Sequence, residues 1–209
     1  MKLPVVIVFL LLALHSTAQT RTATPNKPVV MSRTVVKKAP VKAPVDSSLF
    51  YKDTIIKWMT IEQAEAAQKK SPRKILVDVY TSWCRWCRVE DSVTFKNREI
   101  AHYINQHFYP VKFDAESRPP VTFHEVRYIF LKDEDKWVHE FARYILNGKL
   151  SYPGTAFLDE NGHLIDAKNG YMDAPYLETV LNFYGSNSYK KMKYAAFEDE
   201  FEGKIGDVQ

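Results

Sequence analysis

The amino-acid sequence predicts a three-layer α/β fold with a mixed central sheet. Three observations carry this. The run KILVDVY (Lys74–Tyr80) is β-rich and nearly all apolar, which suits a central strand covered on both faces. Segments with apolar residues at helical spacing precede and follow it. Glu160-Asn161-Gly162 then joins two further strand-like runs as a hairpin turn. The order helix, strand, helix, strand, hairpin, helix gives this architecture, and 209 residues with 45% hydrophobic and 13% aromatic content are enough for one domain with a real core.

Each element has its own local reason. Residues 1–18 read as a secretory signal: Lys2 is a positive n-region, residues 5–14 are an unbroken apolar run, and Ser16-Thr17-Ala18 puts small residues at the cleavage point. The apolar run is shorter than the roughly 20 residues a spanning helix needs, so no transmembrane segment is expected in the mature chain; the competing reading is an uncleaved anchor. No cysteine lies just after the cleavage point, which argues against a lipid anchor, and the expected location is periplasmic or secreted, where disulfides persist. Residues 19–46 hold Pro25, Pro28, Pro40 and Pro44 among Lys, Thr and Val with no sustained period, and read as a flexible linker.

From residue 47 the pattern becomes globular, and residues 47–188 are read as the domain. Thr60 with Gln63 makes a capping box, with Ile61, Ala64 and Ala67 at helical spacing up to Ser71-Pro72. After the Lys74–Tyr80 strand and the cysteines, Val89 onward looks helical. Asn97 caps a helix with Ile100, Ala101, Ile104 and Phe108 on one side, and FYPVKFD (Phe108–Asp114) is a second strand. VTFHEVRYIF reads as a strand or hairpin arm. DEDKWVHEFARYILNG reads as a helix, with Trp137, Phe141, Tyr144 and Ile145 on one stripe and Gly148 at the C-terminal cap. TAFLD and HLIDAK are the hairpin strands. Asp173 and Pro175 open a helix with Leu177, Val180, Leu181 and Tyr184 inward. In residues 189–209, Tyr189, Tyr194, Phe197 and Phe201 recur at roughly helical intervals, as expected of a last docked helix.

The formal charge of +4 says little about the folded part. Much of the positive surplus sits in the linker, where Arg21, Lys27, Arg33, Lys37, Lys38 and Lys42 face only Asp46. The remainder is slightly acidic, so a basic groove for nucleic acid is not indicated.

The chemistry concentrates in YTSWCRWCRVED, which holds both cysteines of the chain, Cys84 and Cys87, three apart. At a helix start, residues i and i+3 share a face, near enough for a disulfide to form and break. Cys84 at the helix N-terminus has free N–H groups and the macrodipole to favour a thiolate, the attacking species. Arg85 and Arg88 add positive charge, Cys87 one turn deeper is the resolving thiol, and Trp83 and Trp86 offer an apolar surface to a substrate. Four other chemistries use cysteines in this way. Haem attachment needs His where Arg88 stands. Zinc needs two further ligands, and His102 and His107 are better read as scattered surface residues, so no metal is expected. A hydrolase nucleophile needs a general base that no local signature supplies. A purely structural disulfide remains the principal alternative, although closing so short a loop removes little chain entropy.

Together ILVDVYTSWCRWC and SYPGTAFLDENG resemble the thioredoxin superfamily: strand, Trp-Cys-x-x-Cys, helix, and later the cis-proline loop with the strand that follows it. The resemblance covers residues 60–184, with an insert of about 116–149 before the proline loop, as in exported thioredoxin-like proteins of envelope bacteria. It implies that Cys84 is the exposed nucleophile and Cys87 the resolving cysteine. Pro153 would be cis and face them, and the Tyr152 backbone would pair with an extended substrate. Asp78 would be the buried acid that relays protons to the resolving cysteine. It further implies cofactor-free thiol–disulfide exchange with protein thiols or disulfides in the envelope, served by a membrane or soluble redox partner. Three departures stand out. Arg85-Trp86 replaces the usual Gly-Pro, which should push the potential toward the oxidising end. Gly154 replaces the usual Thr, with a looser loop expected. The lysine that often accompanies the buried acid has no clear counterpart. A binding module or a chaperone with an inert disulfide is the alternative on the same fold.

Overall fold

The computed structural model describes residues 55–133 and 136–206. The expected signal (1–18) and linker (19–46) lie outside them. Four strands form the main sheet in the order β2-β1-β7-β8, where β1 is Lys74–Tyr80, β2 Phe108–Asp114, β7 Gly154–Leu158 and β8 Leu164–Asn169. β1 runs parallel to β2 and antiparallel to β7, and β7 is antiparallel to β8, so the sheet is mixed.

The period-two alternation of β1 divides the interior into two layers. Ile75, Val77 and Val79 point to one side. There they meet Ile61 and Ala64 of α1 (Ile61–Lys70) and Phe141, Ala142 and Ile145 of α4 (Glu140–Ile145). Leu76 points to the other side, into a cluster with Phe95, Phe108, Phe157 and the inner faces of α3 (Arg98–His107) and α5 (Ala174–Gly185). Each fully buried Leu, Ile or Phe contributes roughly 1.5–3 kcal/mol of transfer free energy. With both faces of β1 covered, its near-continuous apolar run is explained.

The caps form as the sequence reads them. The Thr60 hydroxyl accepts from Gln63 N at 3.3 Å while the Gln63 carbonyl oxygen Oε1 accepts from Thr60 N at 2.9 Å. Asn97 Oδ1 accepts from Glu99 N and Ile100 N, and Asp173 Oδ1 from Tyr176 N. On α1 the third buried residue is Gln68, not Ala67. Its Nε2 donates to the carbonyls of Arg73 and Asp159, which satisfies the buried amide and ties the helix to the hairpin. Helix α2 (Arg85–Ser92) begins directly after Cys84, where the cysteine spacing put its N-terminus and four residues before the Val89 from which the pattern looked helical.

The 116–149 segment differs most from expectation. Val121–Phe123 and Val126–Tyr128 are β3 and β4, joined at His124 and Glu125, both with positive φ as a two-residue hairpin turn requires. Phe130–Asp133 (β5) pairs with Lys136–His139 (β6), so residues 136–139 are a strand where a helix was expected. Trp137 faces out and stacks on Phe130 while Val138 is buried, a period of two that the aromatic stripe masked. The helix starts only at Glu140, capped by His139, whose Nδ1 accepts from Phe141 N at 3.1 Å. At the C-terminal end, a 3-10 turn (Ser188–Lys190) leads to α6 (Tyr194–Glu200). Tyr189, Tyr194, Phe197 and Ile205 pack on the second cluster, and Glu178 accepts from the backbone N–H groups of Lys204 and Ile205.

Candidate functional site

β1 ends at Tyr80, and a turn closed by Cys84 N donating to Thr81 O (3.1 Å) delivers Cys84 to the N-cap of α2. The Cys84 sulfur accepts from Cys87 N at 3.0 Å, one of the free N–H groups of the first turn. Cys84 and Cys87 are disulfide-bonded, with their Cα atoms 5.4 Å apart. The resemblance implied an exposed Cys84. Instead Cys84 is 4% and Cys87 3% exposed, beside a rim of aromatic rings. Trp83 and Trp86 are 63% and 56% exposed on that rim. Trp83 meets Tyr152 edge-on at 5.9 Å and donates its indole N–H to Glu116 Oε1 at 2.9 Å; Trp86 lies 5.3 Å from Tyr171. Arg85 is exposed at the first position of the helix, and Arg88 donates to Ser82 O.

The Tyr152–Pro153 peptide bond is cis. Pro153 O accepts from Gly170 N at 2.8 Å, so the loop is tied to the end of β8. Gly154 does not loosen it. The residue is buried and paired between Val79 and Asn169, and a Cβ there would come within 2.8 Å of Leu146 Cδ2 and 3.0 Å of Ser151 O. A threonine there would need Leu146 to shift and would crowd the Ser151 carbonyl.

Beneath the helix, Asp78 is buried on the Leu76 face of β1 and paired to Lys112. The missing lysine is therefore present, one strand over: Asp78 and Lys112 are register partners in the parallel β1–β2 ladder. Lys112 also pairs with Asp91 on α2 and lies over the rings of Trp58, Tyr80 and Phe95 at 5.1–5.2 Å. Burial pushes the Asp78 carboxyl above the ordinary carboxylate range, and the Lys112 charge offsets only part of that. Burial opposes the charge of Lys112, but the Asp78 and Asp91 carboxylates outweigh it and hold the ammonium above the ordinary lysine range.

A second acid completes the group. Glu90 is 1% exposed, and one oxygen accepts from Met172 N at 3.1 Å. Burial first, and then the nearby Asp78 charge, push its carboxyl up to about 9. Sequence reasoning named Cys84, Cys87, Asp78, Trp83, Arg85, Trp86, Tyr152 and Pro153 as candidates. It missed Lys112, Glu90, Asp91, Glu116 and Tyr171. The signal available was a lone lysine inside the apolar FYPVKFD strand and a glutamate three residues after Cys87.

The chain has relatives in sequence and in fold. The chain shares 37% identity over 60 residues with "Spermatogenesis-associated protein 20" of Rattus norvegicus, which is 29% of this chain and 8% of that protein. It therefore spans only a small part of that relative. Among solved structures, a thioredoxin-fold protein from Helicobacter pylori superimposes with a TM-score of 0.49 at 20% identity, over 66% of this chain and 96% of that one. A putative disulphide-isomerase from Bacteroides thetaiotaomicron does so with 0.45 at 25% identity, over 64% and 93%. The sequence model of the Thioredox_DsbH family, described as "Protein of unknown function, DUF255", matches residues 47–168, from before α1 through the cysteines and the proline loop into β8. With its Cys84–Cys87 pair at a helix tip on a thioredoxin-like fold, the chain belongs to the Thioredox_DsbH family.

Proposed function

We propose that the protein is an exported thiol–disulfide oxidoreductase that exchanges disulfides with envelope proteins from the periplasm or outside the cell. The observation that carries this is Cys84 at the N-cap of α2, its sulfur accepting the Cys87 N–H and bonded to the Cys87 sulfur. Fixed N–H dipoles at that point stabilise a thiolate. In the reducing direction, the Cys84 thiolate attacks a substrate disulfide and one substrate sulfur leaves as a thiolate. Cys87 then loses its proton, attacks Cys84, and releases the second substrate thiolate. Two electrons pass to the substrate and the protein ends as the disulfide; the oxidising direction runs the same steps backwards. Asp78 is the group that takes or returns the Cys87 proton. Trp83, Arg85, Trp86 and Tyr152 with Pro153 receive the substrate segment. In this reading residues 1–18 are the signal, 19–46 the tether, 47–188 the domain and 189–209 its docked tail.

A Cys87→Ser protein should accumulate mixed disulfides with envelope proteins through Cys84, and a Cys84→Ser protein none. The second reading, a binding module with an inert disulfide, is favoured by the low exposure of both cysteines. It predicts no trapped species and a disulfide that resists dithiothreitol in the folded protein.

A further inference from the structure

Of the eight residues of α2, only Cys87 and Glu90 are buried. They are three apart, one turn along the same face. A core-facing helix position next to a sheet is ordinarily filled by an apolar side chain, and a buried carboxyl there carries a desolvation cost. The Met172 hydrogen bond offsets part of that cost. Met172 itself is held from both sides, because Thr94 Oγ1 donates to its carbonyl at 2.8 Å. The other Glu90 oxygen, Oε2, is shut off from solvent and has no hydrogen-bond partner. Glu90 is thus more than a strut: half of its carboxyl is aimed into the interior with nothing to satisfy it. The charged groups around it are Asp78 on β1, Lys112 on β2 and Asp91 on α2 itself, with the Met172 amide before α5.

Resting on the oxidoreductase reading above, we propose that Glu90 is a positioning residue of the redox site, which acts on Cys87 through the Asp78–Lys112 pair and sets how many protons follow the electrons. Three carboxyl groups, those of Asp78, Glu90 and Asp91, face one lysine in this cluster; Lys112 pairs with Asp78 and Asp91, and burial holds the Glu90 carboxyl up to about 9. When the disulfide is reduced, two electrons enter, the S–S bond breaks, and negative charge appears on the sulfurs. That charge strengthens the hold of Glu90 on its proton. Above about pH 9, where Glu90 of the oxidised protein gives its proton up, reduction therefore takes one more proton from water than the cysteines alone require.

The test is the equilibrium with dithiothreitol measured from pH 6 to pH 10.5, for the full chain and for Glu90→Gln. Glutamine keeps the carbonyl that accepts from Met172 but cannot titrate. Below pH 8 the two equilibrium constants should run in constant ratio. Above pH 9 the parent should become harder to reduce relative to the variant, by up to tenfold per pH unit, or about 30 mV for a two-electron couple. A ratio flat over the whole range overturns the inference, whatever the variant does to stability. If Glu90→Gln does not fold, carbon-13 spectra of the Glu90 carboxyl in the parent decide. A midpoint near pH 9 that moves upward on reduction supports the inference; identical midpoints in the two redox states overturn it. A parent that does not equilibrate with dithiothreitol at all overturns the oxidoreductase reading itself, a distinguishable outcome.

Discussion

Replacing Lys112 by methionine tests the buried charge cluster most directly. The side chains of Lys112 and Asp78 are 2% and 1% exposed, so water cannot take over when one partner is removed. Breaking a buried pair from one side costs about 3–5 kcal/mol, because a charge is left without compensation. A domain of this size is stable by only about 5–15 kcal/mol, so the loss is a large share of the total. Asp91, 32% exposed, can turn to solvent and adds little. Asp78 cannot, and with the lysine gone the causes left, burial and Asp91, both push its carboxyl up. A folded pKa raised above the unfolded value of 3.8 gives stability that is present at low pH and lost as pH rises through the folded value. The deficit of Lys112→Met should therefore be largest at pH 8 and shrink toward pH 4, as Asp78 takes up a proton. The double variant Asp78→Asn/Lys112→Met, which removes both charges, should recover most of the loss. Urea unfolding at pH 4, 7 and 8 measures all three proteins. A single variant that loses less than about 1 kcal/mol at pH 7, or a double variant no better than the single, would refute the reasoning.

The remaining predictions are shorter. Glu90 rises from 4.5 to about 9 on folding, so its contribution favours the native state at low pH and fades as pH climbs through that window. Glu90→Gln should match the parent near pH 4 and exceed it increasingly toward pH 8, by up to about 3 kcal/mol at pH 7, read by urea midpoint. His139 has the opposite sign: burial lowers its pKa from 6.5, and Nδ1 must stay unprotonated to accept from Phe141 N. Its stability is present above pH 6.5 and lost as pH falls through the depressed folded value, and His139→Gln should flatten that loss below pH 6.5 in thermal melts. Trp83→Ala removes the edge-on contact with Tyr152 and much of the rim; an aromatic pair is worth about 0.5–1.5 kcal/mol. It should lower kcat/KM for a protein disulfide several-fold while leaving the equilibrium with dithiothreitol unchanged.

What was legible in the sequence was local. The caps at Thr60, Asn97 and Asp173, the β1 run and the Asn-Gly hairpin depend on neighbours within a few residues, so their patterns survive in one dimension. Of the candidate site, the cysteine pair and the proline loop were visible as contiguous motifs. The charge cluster was not. Lys112 meets Asp78 only because β1 and β2 align in a particular parallel register, and Glu90 reaches Met172 across 82 positions of chain. The strand at residues 136–139 was misread because Trp137, Phe141 and Tyr144 fall at helical intervals by accident of two adjoining elements. Trp137 is 59% exposed and belongs to the strand, while the helix behind it supplies the other two.

The two-sided interior has a consequence for how relatives can vary. The 116–149 excursion anchors through Phe123, Val138 and Phe141 in one layer, and the tail anchors through Tyr189, Tyr194 and Phe197 in the other. The sheet stands between them as a bulkhead. Lengthening or trimming the excursion reloads one compartment, while the floor of the sulfur pair, which hangs from the opposite side of β1, keeps its packing. The excursion meets the sulfur pair at the rim instead, where Glu116 accepts from the Trp83 indole.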